Sequence, residues 1–177
     1  KQCVAGETHY IDGAVFGIHG NQQICVAAAA GVIKTTDQNC VKIIFSAVLS
    51  GAAGIGDRIA AFAYEQLGKP YAYGTAGPDT FDVSGLLYYC YREYDIKVPR
   101  TTKELGEFGE EVEKEDLKPG DALFFYSTNE GTIEYCGIYI GDGKFIAARN
   151  SEHPVSEMNL AGNYFTERYI TARRFWE

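Results

Sequence analysis

The chain has no apolar run approaching the roughly 20 residues that a membrane-spanning helix needs. The stretch 24–33 is too short, and 43–56 is short and rich in Gly and Ala. No membrane span is therefore expected. A basic stripe is also missing: 16 Lys and Arg stand against 24 Asp and Glu, for a formal net charge of -8 and a pI near 4.9. Phosphate backbones are bound through clustered cations, so nucleic acid is excluded as a partner. Nothing in the charge draws the chain to an anionic membrane or wall polymer. Histidine is scarce as well. His9, His19 and His153 sit in turn-rich stretches, with no paired Cys or His at a known ligand spacing. Cys3, His9, His19 and Cys25 are zinc-competent residue types, but no metal or cofactor is expected.

What is present belongs to a folded globular protein: 46% of residues are hydrophobic and 14% aromatic. Charge is unevenly placed. Residues 1–56 hold Lys1, Lys34 and Lys42 against Glu7, Asp12 and Asp37, so the whole net charge lies beyond them. The stretch Glu104 to Asp116 alone has seven acids against one Lys and reads as a solvated surface. Three of the five Cys fall in the first forty residues, which points to an oxidising, secreted or extracytoplasmic setting. One disulfide is expected among Cys3, Cys25 and Cys40, with Cys90 and Cys136 reduced in the core. The chain opens on Lys1, so either a leader has been removed or the sequence begins internally.

The clearest local signal is the run Phe81-Asp82-Val83-Ser84-Gly85-Leu86-Leu87. Apolar residues at Val83, Leu86, Leu87, Cys90, Tyr91 and Tyr94 have the spacing of one helical face. Asp82 is placed to cap that helix, after a turn-rich approach at 74–79. A Cys at such a helix start would have a lowered pKa and be a ready nucleophile. Val83 stands there instead. Asp57 to Leu67 predicts an earlier helix stopped by Gly68 and Pro70. Four strands are predicted at 122–126, 133–140, 144–148 and 169–175, with Gly141-Asp142-Gly143 as a hairpin turn. Helices followed by a strand meander make an α+β class, with the sheet packed on the Val83 helix. Residues 1–54 read as a small, strand-rich N-terminal extension ahead of a domain at 55–177. Within it, 8–18 and 40–48 predict strands, while 22–33 fits either a strand or a short Ala-rich helix.

Several motifs in order carry a resemblance. They are Leu67-Gly68-Lys69-Pro70-Tyr71-Ala72-Tyr73-Gly74, Gly77-Pro78, the Asp82-Val83-Ser84-Gly85 run, Val98-Pro99-Arg100-Thr101-Thr102, Leu117 to Phe125, and Gly137 to Ile146. Together they resemble the NlpC/p60 family of papain-like cell-wall peptidases over roughly residues 57 to 177. The resemblance implies a papain-like core, with a nucleophilic Cys at position 83, a His base at 135 and a third polar residue at 147. This chain has Val83, Tyr135 and Ala147 at those positions, so all three roles are vacant. The family's Asp and Ser beside the nucleophile, with the Tyr before them, help to hold the free amino end of a stem peptide. Tyr73, Asp82, Ser84, Arg100 and Tyr135 are accordingly the expected ligand-binding residues.

The residues left over have plainer roles. Cys90 lies two turns deeper on the apolar face of its helix, and Cys136 alternates with Tyr135 along a strand, so it points to the opposite side of the sheet. Ser84 has no His base that the sequence identifies. Three readings stay open. One is an inactive relative whose cleft binds a peptide, a peptidoglycan fragment or a protein partner. The second is an active peptidase or acyl transferase with relocated catalytic groups. The third is a structural or interaction protein whose cleft is filled, with Tyr135 as the plug.

Overall fold

In a computed structural model of the chain, the described residues are the strands at 8–11, 14–19, 23–28 and 31–35, by their backbone, and 54–127 and 131–176 in full. The chain divides into two compact units, Lys1–Ala53 and Gly54–Glu177.

The first unit holds an antiparallel four-stranded meander: β1 (Thr8–Ile11), β2 (Ala14–His19), β3 (Gln23–Ala28) and β4 (Gly31–Thr35). The expected strand at 8–18 is thus a hairpin, and the ambiguous 22–33 stretch contributes to two paired strands and no helix. The expected strand at 40–48 and the Cys3, Cys25 and Cys40 side chains lie outside the described residues.

The second unit is α+β. Its helices are α1 (Ile55–Tyr64), α2 (Val83–Arg92), α3 (Thr102–Glu107) and α4 (Asn163–Arg168). Its strands are β5 (Glu110–Val112), β6 (Ala122–Phe125), β7 (Tyr135–Gly141), β8 (Lys144–Ala147), β9 (Ser156–Asn159) and β10 (Tyr169–Arg174). They form one antiparallel sheet in the order β5-β10-β6-β7-β8-β9. The four predicted strands are the middle of this sheet. The two edge strands, β5 and β9, were not expected.

Because side chains alternate across a strand, the sheet separates two cores. On one face Ala122, Phe124, Cys136, Ile138 and Ile146 meet Ile59 of α1 and Leu86, Leu87, Cys90 and Tyr91 of α2. On the other face Leu123, Phe125, Tyr135, Phe145 and Ala147 meet Phe165 of α4. Each large side chain sealed in this way contributes about 1.5–3 kcal/mol before conformational entropy is counted. The tight turn before β6 is fastened twice. Tyr91 donates its hydroxyl to the Gly120 carbonyl at 2.7 Å, and the buried Asp121 carboxylate accepts a fork from Arg174 at 2.9 and 2.8 Å.

Candidate functional site

The start of α2 is held in place by groups other than the Val83 side chain. Asp82, in extended conformation, accepts the Gly85 N–H through Oδ1 at 2.6 Å and donates its own N–H to the Thr75 carbonyl at 2.9 Å. Gly85 is needed because a Cβ there would collide with that same Thr75 oxygen. From the strand side, the Cys136 thiol donates to the Val83 carbonyl at 3.3 Å.

Arg100 draws this region together. Its Nη1 and Nη2 donate to the two Asp82 oxygens at 3.0 and 2.6 Å, and they also reach Ser84 Oγ at 2.8 Å and the Thr75 carbonyl at 3.3 Å. Asp82 and Ser84 are both buried. Of the expected ligand-binding residues, Asp82, Ser84 and Arg100 therefore form one hydrogen-bonded cluster. Tyr73 is not drawn into it and stands 91% exposed on the approach loop.

The three positions expected to be vacant, 83, 135 and 147, meet on the other side of the helix start. Tyr135 and Ala147 are buried in the aromatic core, and Val83 packs against it. Tyr135 stacks on Phe165, with ring centres 5.9 Å apart at 22°, and donates its hydroxyl to Met158 Sδ at 3.2 Å. Burial pushes that hydroxyl's pKa far above the usual range, so Tyr135 keeps its proton and is no base at neutral pH. Cys90 and Cys136 are buried and free, and burial likewise raises both thiols far above the ordinary value. Burial thus disfavours the thiolate form at both positions. The alternation expected of β7 holds: Cys136 lies in the helix-side core and Tyr135 in the aromatic one.

Above Val83 and Tyr135 a groove of about 330 Å³ remains open, walled also by Tyr126, Arg149, Asn150 and Tyr164. Ser127 and Glu134 complete its lining, the Glu134 carboxylate accepting the Ser127 N–H at 2.9 Å. Among the described residues no His or Cys lines it. His153 Nδ1 lies 2.9 Å from Oδ1 of the lining residue Asn150, and the Cys136 thiol bonds the carbonyl of the lining residue Val83. Among the described residues no cluster of His, Cys, Asp or Glu could hold a metal ion. Sequence reasoning missed Tyr126, Arg149, Asn150 and Tyr164 as groove residues. Three lie just past strand ends, where alternation no longer reports direction, and Tyr164 arrives on α4, which no periodicity announced.

A helix start buried against an antiparallel sheet, with a groove over its first residue, is the arrangement of papain-like proteins. The NlpC/P60 family model matches residues 68–174, and the chain belongs to that family. Murein DD-endopeptidase MepH of Escherichia coli (strain K12) is 38% identical over 114 residues, covering 62% of this chain and 42% of MepH. Other curated relatives are likewise covered only in part, for example 26% of a probable endopeptidase from Mycobacterium tuberculosis and 50% of one from Corynebacterium glutamicum. Two solved structures share the fold. NlpC2 from Trichomonas vaginalis has a TM-score of 0.66 at 23% identity, covering 93% of this chain and 63% of that one. RipD from Mycobacterium tuberculosis has a TM-score of 0.57 at 20% identity, covering 70% of this chain and 98% of that one.

Proposed function

We propose that this chain is a catalytically inactive NlpC/P60 protein that works by binding, its groove taking a peptide or peptidoglycan fragment outside the cytoplasm. The observation that carries this reading is the groove over Val83 and Tyr135: it is open, yet among the described residues neither a thiol nor an imidazole lines it. Acyl transfer of the family's kind needs a thiolate and a base beside it, and removing such groups lowers rates by several orders of magnitude. The precedent for losing catalysis while keeping the fold is RipD, described as a non-catalytic NlpC/p60 domain protein adapted to peptidoglycan binding. An open groove weighs against the filled-cleft alternative. On this reading Asp82, Ser84 and Arg100 keep one flank of the site in shape, Tyr73 offers an exposed ring at its approach, and Tyr135 floors the groove.

The test is release of new amines from γ-D-glutamyl-diamino-acid peptides by the purified protein, with none expected. Cleavage that survives thiol alkylation and disappears on Ser84→Ala or Ser127→Ala would overturn the reading in favour of relocated catalytic groups. Partial activity gained by the triple variant Val83→Cys, Tyr135→His and Ala147→His would support the assignment of the vacant positions.

A further inference from the structure

Among the described residues, the groove carries one guanidinium that no anion meets. Arg149 lies half-buried just past β8, and its guanidinium carbon is 5.0 Å from the centre of the Tyr164 ring. Among the described residues its one ring contact is Tyr164, and it makes no hydrogen bond and no ion pair. Other arginines of the domain are engaged with acids. Arg100 forks onto Asp82, Arg174 onto Asp121, and Arg173 reaches Glu111 and the Gly106 carbonyl. Arg168 approaches the same Tyr164 ring at 4.1 Å but donates to the Tyr164 carbonyl and pairs with Glu167. Two cations therefore share one aromatic ring at the groove, in a chain whose net charge is -8. The one acid in the described lining, Glu134, already accepts the Ser127 N–H.

A half-buried guanidinium is costly to keep without a counter-charge, and its planar fork matches a carboxylate in two parallel hydrogen bonds. The Asp82 flank offers the opposite case. Its carboxylate is already forked by Arg100, so it has little charge left for a ligand's ammonium. We infer that Arg149 is the specificity-determining residue of the groove: it takes a carboxylate of a short peptide ligand, with the Tyr164 ring holding the guanidinium in position. This rests on the reading of the groove as a peptide-binding cleft, and it adds which end of the ligand is recognised.

Calorimetry with γ-D-glutamyl-L-lysine tests it, using the peptide with both carboxylates free, with each amidated singly, and with both amidated. The free diacid should bind at least roughly tenfold more tightly than the diamide, the size expected of one charge-assisted contact. The two monoamides then show whether the glutamyl or the terminal carboxylate is read. Arg149→Gln should bring the diacid down to the diamide's affinity while leaving diamide binding within about twofold, and Arg149→Lys should keep part of the preference. The preference should also shrink as salt is raised from about 0.05 to 0.5 M. Unchanged melting temperatures would show that the variants fold. Equal binding of diacid and diamide by the natural chain, or an undiminished preference in Arg149→Gln, overturns the inference and leaves the cleft reading standing. Absence of binding by every peptide at about millimolar concentration overturns the cleft reading, and this inference with it.

Discussion

Two aspartates in this domain are each gripped by an arginine fork, yet they occupy opposite situations. Asp121 opens β6 with its side chain fully buried, and its partner Arg174 on β10 is only 16% exposed. Asp82 opens α2 with 12% of its side chain exposed, and Arg100 is 36% exposed. The first pair is sealed between strands, where it fastens a turn. The second ties a helix start to the loop that approaches it, and it stays in touch with water. Geometry alone does not set the worth of an ion pair, since the same fork is strongly coupled to stability where solvent is shut out and weakly where it is not.

That contrast can be broken by experiment. Asp121→Asn should have the largest effect, lowering unfolding free energy by about 3–5 kcal/mol, because it strands Arg174 without its counter-charge. Urea denaturation measures it, and the paired change Asp121→Leu with Arg174→Met should recover much of the loss. Asp82→Asn should cost far less, about 1 kcal/mol, since Asn still accepts the Gly85 N–H as a cap and the pair it weakens is partly hydrated. Equal losses from the two substitutions would mean that burial is not what distinguishes the pairs. The smallest effect is expected at the helix-side core. Native protein treated with iodoacetamide at about pH 8, roughly the ordinary pKa of a free thiol, should show no label on Cys90 or Cys136 by peptide mapping, and full label once unfolded. Labelling of Cys136 in the native state would show that the start of α2 opens to solvent.

How far the molecule could be read in advance follows from the range of each interaction. Asp82 caps a helix whose apolar stripe runs through Val83, Leu86, Leu87, Cys90 and Tyr91, all within one stretch, and both were legible. The same is true of β7 and β8, whose alternation and intervening Asp142 turn are local. The edge strands were not. β5 has a single buried residue, Val112, among acids, and β9 has none; backbone pairing and the 2.8 Å Lys144–Glu157 ion pair hold β9 to β8. The Arg100 fork spans 18 residues, and no periodicity announces it. The family resemblance pointed to its members without showing that they are bonded to one another. Arg149 and Tyr164 meet only because α4 folds back over the sheet face, so their pairing was beyond any reading of local pattern.

The backbone around residue 83 is secured through Asp82, which meets the Thr75 carbonyl and the Gly85 N–H, and through the Val83 carbonyl, which accepts the Cys136 thiol, so none of these bonds uses the residue 83 side chain. Heredity can therefore treat the scaffold and the reaction as separate possessions. A thiol and an isopropyl group are close enough in bulk for one to follow the other without disturbing the helix. A lineage that exchanged them would lose its chemistry in a single step and pass on the shape intact. The groove would then be free to be selected for whatever it still holds.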